Sequence, residues 1–317
     1  MVPAGIIQAV NLPAAESLSG TPMKIAVAIN PAASFGRSRD AGHEAVGFIR
    51  AAGWGVVVLE AESYGALRCL VERTLAAGVA ALVVVGGDGM VHLGVNALAG
   101  MDIPLGIVPT GTGNDVARLL MLPLNDTSAA CGRLLEALGK GGRRIDAGRV
   151  TAGGEVTYFA GVLSAGFDAA VNERANSWSW PRGKSRYNLA MLRELGSFRP
   201  ITYTVTADDV TWHQPALLIS VANGRSIGGG MMITPEAVAD DGWLDMFVVK
   251  PLSRLRFLAV FPKVFAGKHT NHPAVEIRRV RKVRLEAEGV VAYADGERIA
   301  ALPVDVDVIP AGLWVLA

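Results

Sequence analysis

The sequence predicts an α/β N-terminal domain with a doubly wound, mainly parallel sheet, followed by a mainly antiparallel β-sandwich second domain. Three observations carry this. Ala81-Leu82-Val83-Val84-Val85 is an unbroken apolar run that enters Gly86-Gly87-Asp88-Gly89 and then a helical pattern over Met90–Ala99. A strand that is apolar on both faces belongs in a parallel sheet covered by helices. Ile103–Pro109 repeats the arrangement, entering Thr110-Gly111-Thr112-Gly113-Asn114-Asp115 before a helix from about Val116. After about Arg143 the pattern changes to short β runs divided by turns, the spacing of a sandwich or barrel-like domain.

Taken in order, residues 1–22 are apolar without the basic start of a signal peptide, so they are expected to be a poorly ordered leader, with Met23 beginning the folded part. Lys24–Ile29 is the first strand, and Asn30-Pro31-Ala32-Ala33-Ser34-Phe35-Gly36 turns into a helix that ends near Gly53. Val56–Leu59 is a second strand and Ala66–Ala77 a second helix, before the two strand-turn-helix units above. This is βαβα order with short connections, which gives a doubly wound sheet. The β runs that follow are Ile145–Val150, Thr157–Leu163, Ile201–Thr206, Ala216–Ala222, Leu244–Val249, Val275–Leu285, Val290–Ala294 and Val304–Ile309. Helices are expected there at about Arg186–Gly196 and Leu252–Ala266.

Composition narrows the function classes. At 317 residues and 51% hydrophobic, the chain is long enough for two cores. A net charge of +1, with no Lys/Arg run interleaved with aromatics, argues against nucleic acid as a partner. Arg278–Arg284 alternates with Val280, Val283 and Leu285, the pattern of a strand's solvated face, with an anionic-lipid patch as the alternative. Cys69 and Cys131 have no metal spacing and point to a reduced, cytoplasmic protein. No apolar run reaches the roughly 18 residues of a membrane span, so the chain is expected to be soluble or peripheral. Trp178 and Trp180 beside Arg182 and Lys184 have the composition of an interfacial anchor, and equally of core.

The turns carry the chemistry. Three glycines in Gly86-Gly87-Asp88-Gly89 let backbone N–H groups approach a polyphosphate, because no Cβ stands in the way; a turn without a ligand is the plain alternative. Neither glycine turn is a Walker A loop, since no Gly-Lys-Ser/Thr follows, and Gly111/Gly113 lacks the third glycine of a dinucleotide fingerprint. Asp88, Asp115 and Asp146 stand at strand ends, where carboxylates can share a divalent ion with phosphate oxygens. Asp115 reads equally as a helix cap, and Asp146 as an exposed strand residue. Asp295-Gly296-Glu297 reads locally as a hairpin tip, and Asp240-Asp241-Gly242-Trp243 as an ordinary turn.

The ordered set resembles the diacylglycerol-kinase catalytic family, which includes bacterial lipid kinases and sphingosine kinases. The resemblance rests on Asn30-Pro31, Gly86–Gly89, Pro109–Asp115, Gly166-Phe167-Asp168, Asp240-Asp241-Gly242 and Asp295-Gly296-Glu297, and covers nearly the whole chain. It implies an ATP-dependent lipid kinase that uses Mg²⁺ and phosphorylates a diacylglycerol-like hydroxyl. It implies nucleotide contacts at Asn30, Pro31, Ser34, Gly86, Gly87, Asp88, Gly89, Thr110, Gly111, Thr112, Asn114 and Asp115. Asp88 and Asp146 then belong to the active cleft, and Glu297 is the general base. A structural magnesium is implied at the Asp241 side chain and the Val238 and Trp243 carbonyls, an oxygen-only set that suits this ion. The nucleotide domain is expected over 23–144 plus 304–317, and the lipid domain over 145–303. A lipid substrate, peripheral membrane contact and no nucleic acid complete the expectation, with a homodimer as the self-association considered.

This chain departs from the family pattern in three places. Met90 follows the first glycine turn where the family has Thr, His92 stands where Asn is usual, and Phe35 follows Ser34 in place of a glycine. His92, His213 and His272 are isolated and read as surface or packing residues. The alternative enzyme is an NAD kinase, which shares the Gly-Gly-Asp-Gly turn, although Thr110–Asp115 favours the lipid kinases. The non-enzyme alternative is a nucleotide- or lipid-sensing relative without turnover.

Overall fold

The computed structural model describes residues 24–30, 37–124, 126–166, 171 and 199–317. Pro31, Ser34, the leader, Phe167-Asp168, the Trp178/Trp180 region and the helix expected at 186–196 lie outside these residues. The first part runs β1 (Lys24–Ile29), α1 (Arg37–Ala51), β2 (Gly55–Glu60), α2 (Tyr64–Ala76), β3 (Ala81–Gly86), α3 (Asp88–Leu98), β4 (Leu105–Pro109), α4 (Asp115–Leu119) and α5 (Thr127–Lys140). Its strands are parallel in the order β2-β1-β3-β4. Alternate residues serve opposite layers: Ile25, Val27, Val83 and Val85 pack with α1 and α5, whereas Ala26, Ala28, Leu82 and Val84 pack with α2 and α3. The order reverses direction between β1 and β3. In such sheets a crevice opens beyond the carboxyl ends of the strands at that switch point, where ligands bind.

The second part consists of β5 (Arg143–Ala152), β6 (Glu155–Phe159), β7 (Val162–Gly166), β8 (Ile201–Ala207), β9 (Val210–Ala216), β10 (Leu218–Ala222), β11 (Leu244–Val249), α6 (Arg254–Val264), β12 (Val275–Val280), β13 (Lys282–Glu286), β14 (Val291–Ala294), β15 (Glu297–Ala301) and β16 (Val304–Val315). A six-stranded antiparallel sheet, β12-β11-β10-β7-β14-β15, faces β8, β13, β16 and β5 across one apolar core. Tyr203 and Leu285 from one side meet Ile219 and Met246 from the other.

The sequence pattern did not reveal that one sheet runs through both parts. β16 pairs in parallel with β4 at Val315 and Leu105, and antiparallel with β5 and β13, so ten strands form a continuous sheet. Two runs that read as single strands are each two strands that change sheet, and a third crossing follows a strand that the sequence pattern did not bring out. Val275–Leu285 divides at Arg281 into β12 and β13 and Thr157–Leu163 at Ala160-Gly161 into β6 and β7, while Ala216–Ala222 is β10 with the last residue of β9, the crossing falling at Leu217. The apolar pattern continues through these points because Val280, Leu217 and Ala160 are buried at the crossings.

Candidate active site

The two glycine turns stand side by side because β3 and β4 are neighbours in register, with Gly86 opposite Pro109. They touch through backbone: a Cβ on Gly87 would lie 3.1 Å from Gly111 Cα. Asn114 holds the second turn closed. Its Oδ1 accepts the Gly111 N–H at 3.1 Å, and its Nδ2 donates to the Gly111 carbonyl at 2.8 Å. The residue adopts a left-handed conformation (φ 54°) and is 3% exposed. Asn tolerates this backbone better than most side chains.

Asp88 ties the turns together. Its two carboxylate oxygens accept the N–H groups of Asn114 and Asp115, each at 3.0 Å. Those are orphan donors at the start of α4, so Asp88 caps a helix 26 residues away in sequence. The start of α3 is different: Gly87 occupies the cap position without a side-chain hydrogen bond. Its glycine backbone and helix dipole suit an anion. Thr110 stands at the same edge and shares a 2.7 Å hydrogen bond with Ser38 of α1, whereas Thr112 is exposed. Asn30 directly follows β1 at this edge of the sheet.

Glu297 reaches the same turn from the other part of the chain. Its Oε1 lies 2.8 Å from the place a Cβ on Gly89 would occupy, so the carboxylate rests against the open side of this glycine. The hairpin that carries it is latched by Asp295, whose carboxylate accepts the N–H groups of Ala160, Gly161 and Val162 at 2.8, 3.0 and 3.0 Å.

Comparisons with known proteins show the family of the chain. The family model described as diacylglycerol kinase catalytic domain matches residues 24–150, and the YegS C-terminal NAD kinase beta sandwich-like domain matches residues 161–317. A diacylglycerol kinase of Mycobacterium tuberculosis strain H37Rv is 37% identical over 295 residues, covering 92% of this chain and 94% of that one. The chain belongs to the diacylglycerol kinase catalytic family. A probable lipid kinase YegS-like of Pseudomonas fluorescens is 30% identical over 265 residues, covering 80% of this chain and 85% of its own. The solved structure of a putative diacylglycerol kinase from Bacillus anthracis superposes with a TM-score of 0.74 at 22% identity, over 93% of this chain and 95% of that one, and shows the same fold.

Among the family's acidic positions, three carboxylates share one field. Burial pushes Asp115 up to about 6, the Asp88 and Asp295 charges add to this, and the Gly229 N–H and Arg118 oppose it. Burial likewise pushes Asp295 up to about 6 against its three amide donors, with the Asp88 charge reinforcing it. Asp88 is raised by burial, while the amides of Asp115 and Asn114, its own amide and Arg118 pull it down. Such crowding favours an added cation. Asp88 and Asp115 are hard oxygen donors of the kind Mg²⁺ takes, while no three such side chains among the described residues are arranged to hold an ion by themselves.

Asp146 has another job. It is 2% exposed, and its two oxygens accept the Gly242 N–H at 2.7 Å and the Ala311 N–H at 2.8 Å. The geometry makes it a brace between β5, the Asp240-Asp241-Gly242 turn and a bulge in β16. At the implied metal turn, Asp241 Oδ1 accepts the Trp243 N–H at 3.1 Å and Oδ2 pairs with Arg279. Arg279 and Arg281 lie over the Trp243 ring. Asp245 is raised by burial first, then lowered by Arg279 and raised by Asp241 and Glu236. Among the described residues no group of three or more acidic, His or Cys side chains is arranged to hold a metal. Both Asp241 oxygens are thus engaged within the protein, one by the Trp243 N–H and the other by Arg279.

Met90 is 3% exposed and fills the space a side chain on Gly86 would need, so the departure from Thr is taken up as core packing. His92 is partly buried, with its Nε2 3.2 Å from Asn96 Nδ2. Burial lowers its basicity while the Glu297 charge raises it, which places the imidazole within reach of that carboxylate's field. Sequence reasoning missed the loop after β10. Gly228, Gly229 and Gly230 all have positive φ, and the Gly229 N–H donates to both oxygens of Asp115 at 3.0 Å. Three consecutive glycines at a strand end were the signal available.

Proposed function

We propose that the chain transfers the γ-phosphoryl group of ATP to the hydroxyl of a diacylglycerol-like lipid, with Glu297 as general base and Mg²⁺ required. The carrying observation is the position of Glu297 Oε1 against Gly89, at the turn whose backbone touches the second glycine turn. A base and a phosphate cradle thus stand together, which is what phosphoryl transfer asks of a protein. Glu297 takes the hydroxyl proton as the lipid oxygen bonds to the γ-phosphorus, and the bond from that phosphorus to the bridging oxygen breaks to leave ADP. Backbone N–H groups of Gly87–Gly89 and of the Thr110–Asp115 turn orient the phosphates, joined by Asn30 and, outside the described residues, by Pro31 and Ser34. Bound Mg²⁺ supplies charge neutralisation at the phosphate oxygens, and Asp88 and Asp115 are the residues that would hold it.

The names of the relatives support a lipid acceptor, and a lipid acceptor supports peripheral contact with a membrane. No helix among the described residues is long and apolar enough to cross one. The test is phosphate transfer from labelled ATP to diacylglycerol, a sphingoid base or phosphatidylglycerol in mixed micelles, with NAD offered in parallel. Transfer to a lipid and not to NAD is expected. Transfer to NAD alone would assign an NAD kinase, and no transfer to any acceptor would leave only a binding function.

A further inference from the structure

Helix α6 carries two apolar faces, and the fold covers one. Phe257, Phe261 and Val264 pack onto the six-stranded sheet beside Leu218, Phe247 and Val249. On the other side, Leu255 is 81% exposed, Leu258 47% and Phe265 53%. With Ala259 and Pro262, also exposed, they follow the i, i+3, i+4, i+7 spacing of a helical stripe. A core helix of a protein that stays in water has no reason for a second stripe of this kind.

The charges around the stripe are all of one sign. From Lys250 to Val275 the sequence holds Lys250, Arg254, Arg256, Lys263 and Lys268 and no Asp or Glu. Arg254 falls on one flank of the stripe at helical spacing, and Arg256 and Lys263 on the other. Among the described residues, Arg254, Arg256, Lys263 and Lys268 form no ion pair, whereas Lys250 pairs with Glu276 at 2.9 Å. Long basic side chains beside an apolar stripe can extend to headgroup phosphates while the stripe enters the acyl boundary.

We infer that α6 is the surface by which this chain docks on an anionic bilayer. Its place in the fold suits the task. The Met232 N–H donates to the Val264 carbonyl at 3.1 Å, and the His269 Nε2–H to the Ile233 carbonyl at 3.1 Å. Ile227 and Met231 are bonded across the glycine loop in both directions, and within that loop the Gly229 N–H holds Asp115. The docking helix is therefore joined through one short hydrogen-bonded segment to the carboxylates beside the phosphate turns. On this inference a lipid leaves the bilayer at α6 and enters the site along this segment. The inference deepens the proposed lipid kinase reading, and the direction of lipid entry rests on that reading. Docking itself does not, because its readout needs no turnover.

The experiment is flotation of the full chain with phosphatidylcholine vesicles, with and without phosphatidylglycerol. Two variants are compared, Leu255→Ser/Leu258→Ser/Phe265→Ser and Arg254→Gln/Arg256→Gln/Lys263→Gln. The wild type is expected to bind the anionic vesicles more tightly. The apolar variant should lose at least about tenfold on both vesicles. The charge variant should lose about a hundredfold, at roughly fivefold per cation, on the anionic vesicles only, with a matching loss of salt dependence. Phosphorylation of a short-chain lipid dispersed in water should be unchanged in both. An apolar variant that floats like the wild type overturns the inference. So does a concentration-dependent dimer that this variant abolishes, which would assign the stripe to a second copy of the chain. Vesicle binding by a protein that phosphorylates no lipid would separate failure of the kinase reading from failure of the docking surface.

Discussion

At the ends of β3 and β4 each turn follows its strand directly and opens a helix within a few residues; at the ends of β10 and β14 the turns join antiparallel strands and gain their meaning only from what they touch. Gly86–Gly89 and Thr110–Asp115 hold their geometry largely among themselves, through Asp88, Asn114 and backbone contact at Gly87 and Gly111. Asp295 and Gly229 instead act on partners more than a hundred residues away, the Ala160–Val162 amides and the Asp115 carboxylate. A phosphate cradle is local because it is made of backbone, whereas an acceptor site must be assembled across the core. The two regions therefore should fail differently, the first through geometry of the cradle and the second through the reacting group.

The largest expected effect tests the assembled side. Glu297→Gln keeps size and hydrogen-bonding capacity but removes the basic carboxylate, so turnover should fall roughly a hundredfold to ten-thousandfold. Nucleotide affinity, read by calorimetry, should stay near that of the wild type, since Glu297 is placed at Gly89 and forms no part of the clamp between the turns. Parallel loss of affinity and rate would erase the distinction between the two regions and make Glu297 a positioning residue.

Asp88→Asn tests the local side. The amide has a single oxygen, so one of the two N–H groups at the start of α4 loses its partner. Turnover should fall by about a hundredfold or more, as for loss of preorganised charge at a transferring phosphoryl group. Stability should also fall, by about 1–3 kcal/mol for a partly buried donor left unpaired. A variant with normal rate and a normal denaturation midpoint would show that the turns need no clamp.

What could be read from the sequence divides along the same line. The parallel order, the strand-to-turn boundaries and the residues of both glycine turns were visible because an apolar run ending in glycine is a local signal. Glu297 was placed through family resemblance, since its own surroundings look like a hairpin tip. The bracing role of Asp146 was not legible, because an acid at a strand end gives no sign that two distant amides will occupy both its oxygens. The three sheet crossings were invisible for a related reason, since a two-residue period continues unchanged when a chain passes from one sheet to its partner.

A smaller effect is expected at the turn around Asp241. If a magnesium ion is held there, Asp241→Ala should remove most of any magnesium-dependent rise in melting temperature, because an ion that binds only the native state stabilises it by mass action. Arg279 already shares the Asp241 charge, so the rise should be modest. Arg279→Gln should enlarge it by freeing a carboxylate oxygen. An unchanged magnesium response in Asp241→Ala would remove the metal from this turn.

The last and smallest effect concerns protons. An Asp ordinarily titrates at 3.8, and burial raises Asp115 and Asp295 to about 6 in the folded protein. Between these values the native state holds protons that the unfolded chain has already released, so this contribution to stability is complete below 3.8 and is lost as pH rises through about 6. Without divalent ions, the melting temperature of the wild type should fall relative to Asp115→Asn as pH increases over this window, because the variant has one fewer charge to bury. Magnesium works against the same protons: its ligands must be ionised, so stabilisation by the ion through these carboxylates should grow as pH passes upward through about 6. The two slopes have opposite signs and come from the same groups. If the wild type instead gained stability relative to Asp115→Asn as pH rose without magnesium, the carboxylates would be relieved by partners already in the protein, and the crowding that calls for a cation between the two regions would not exist.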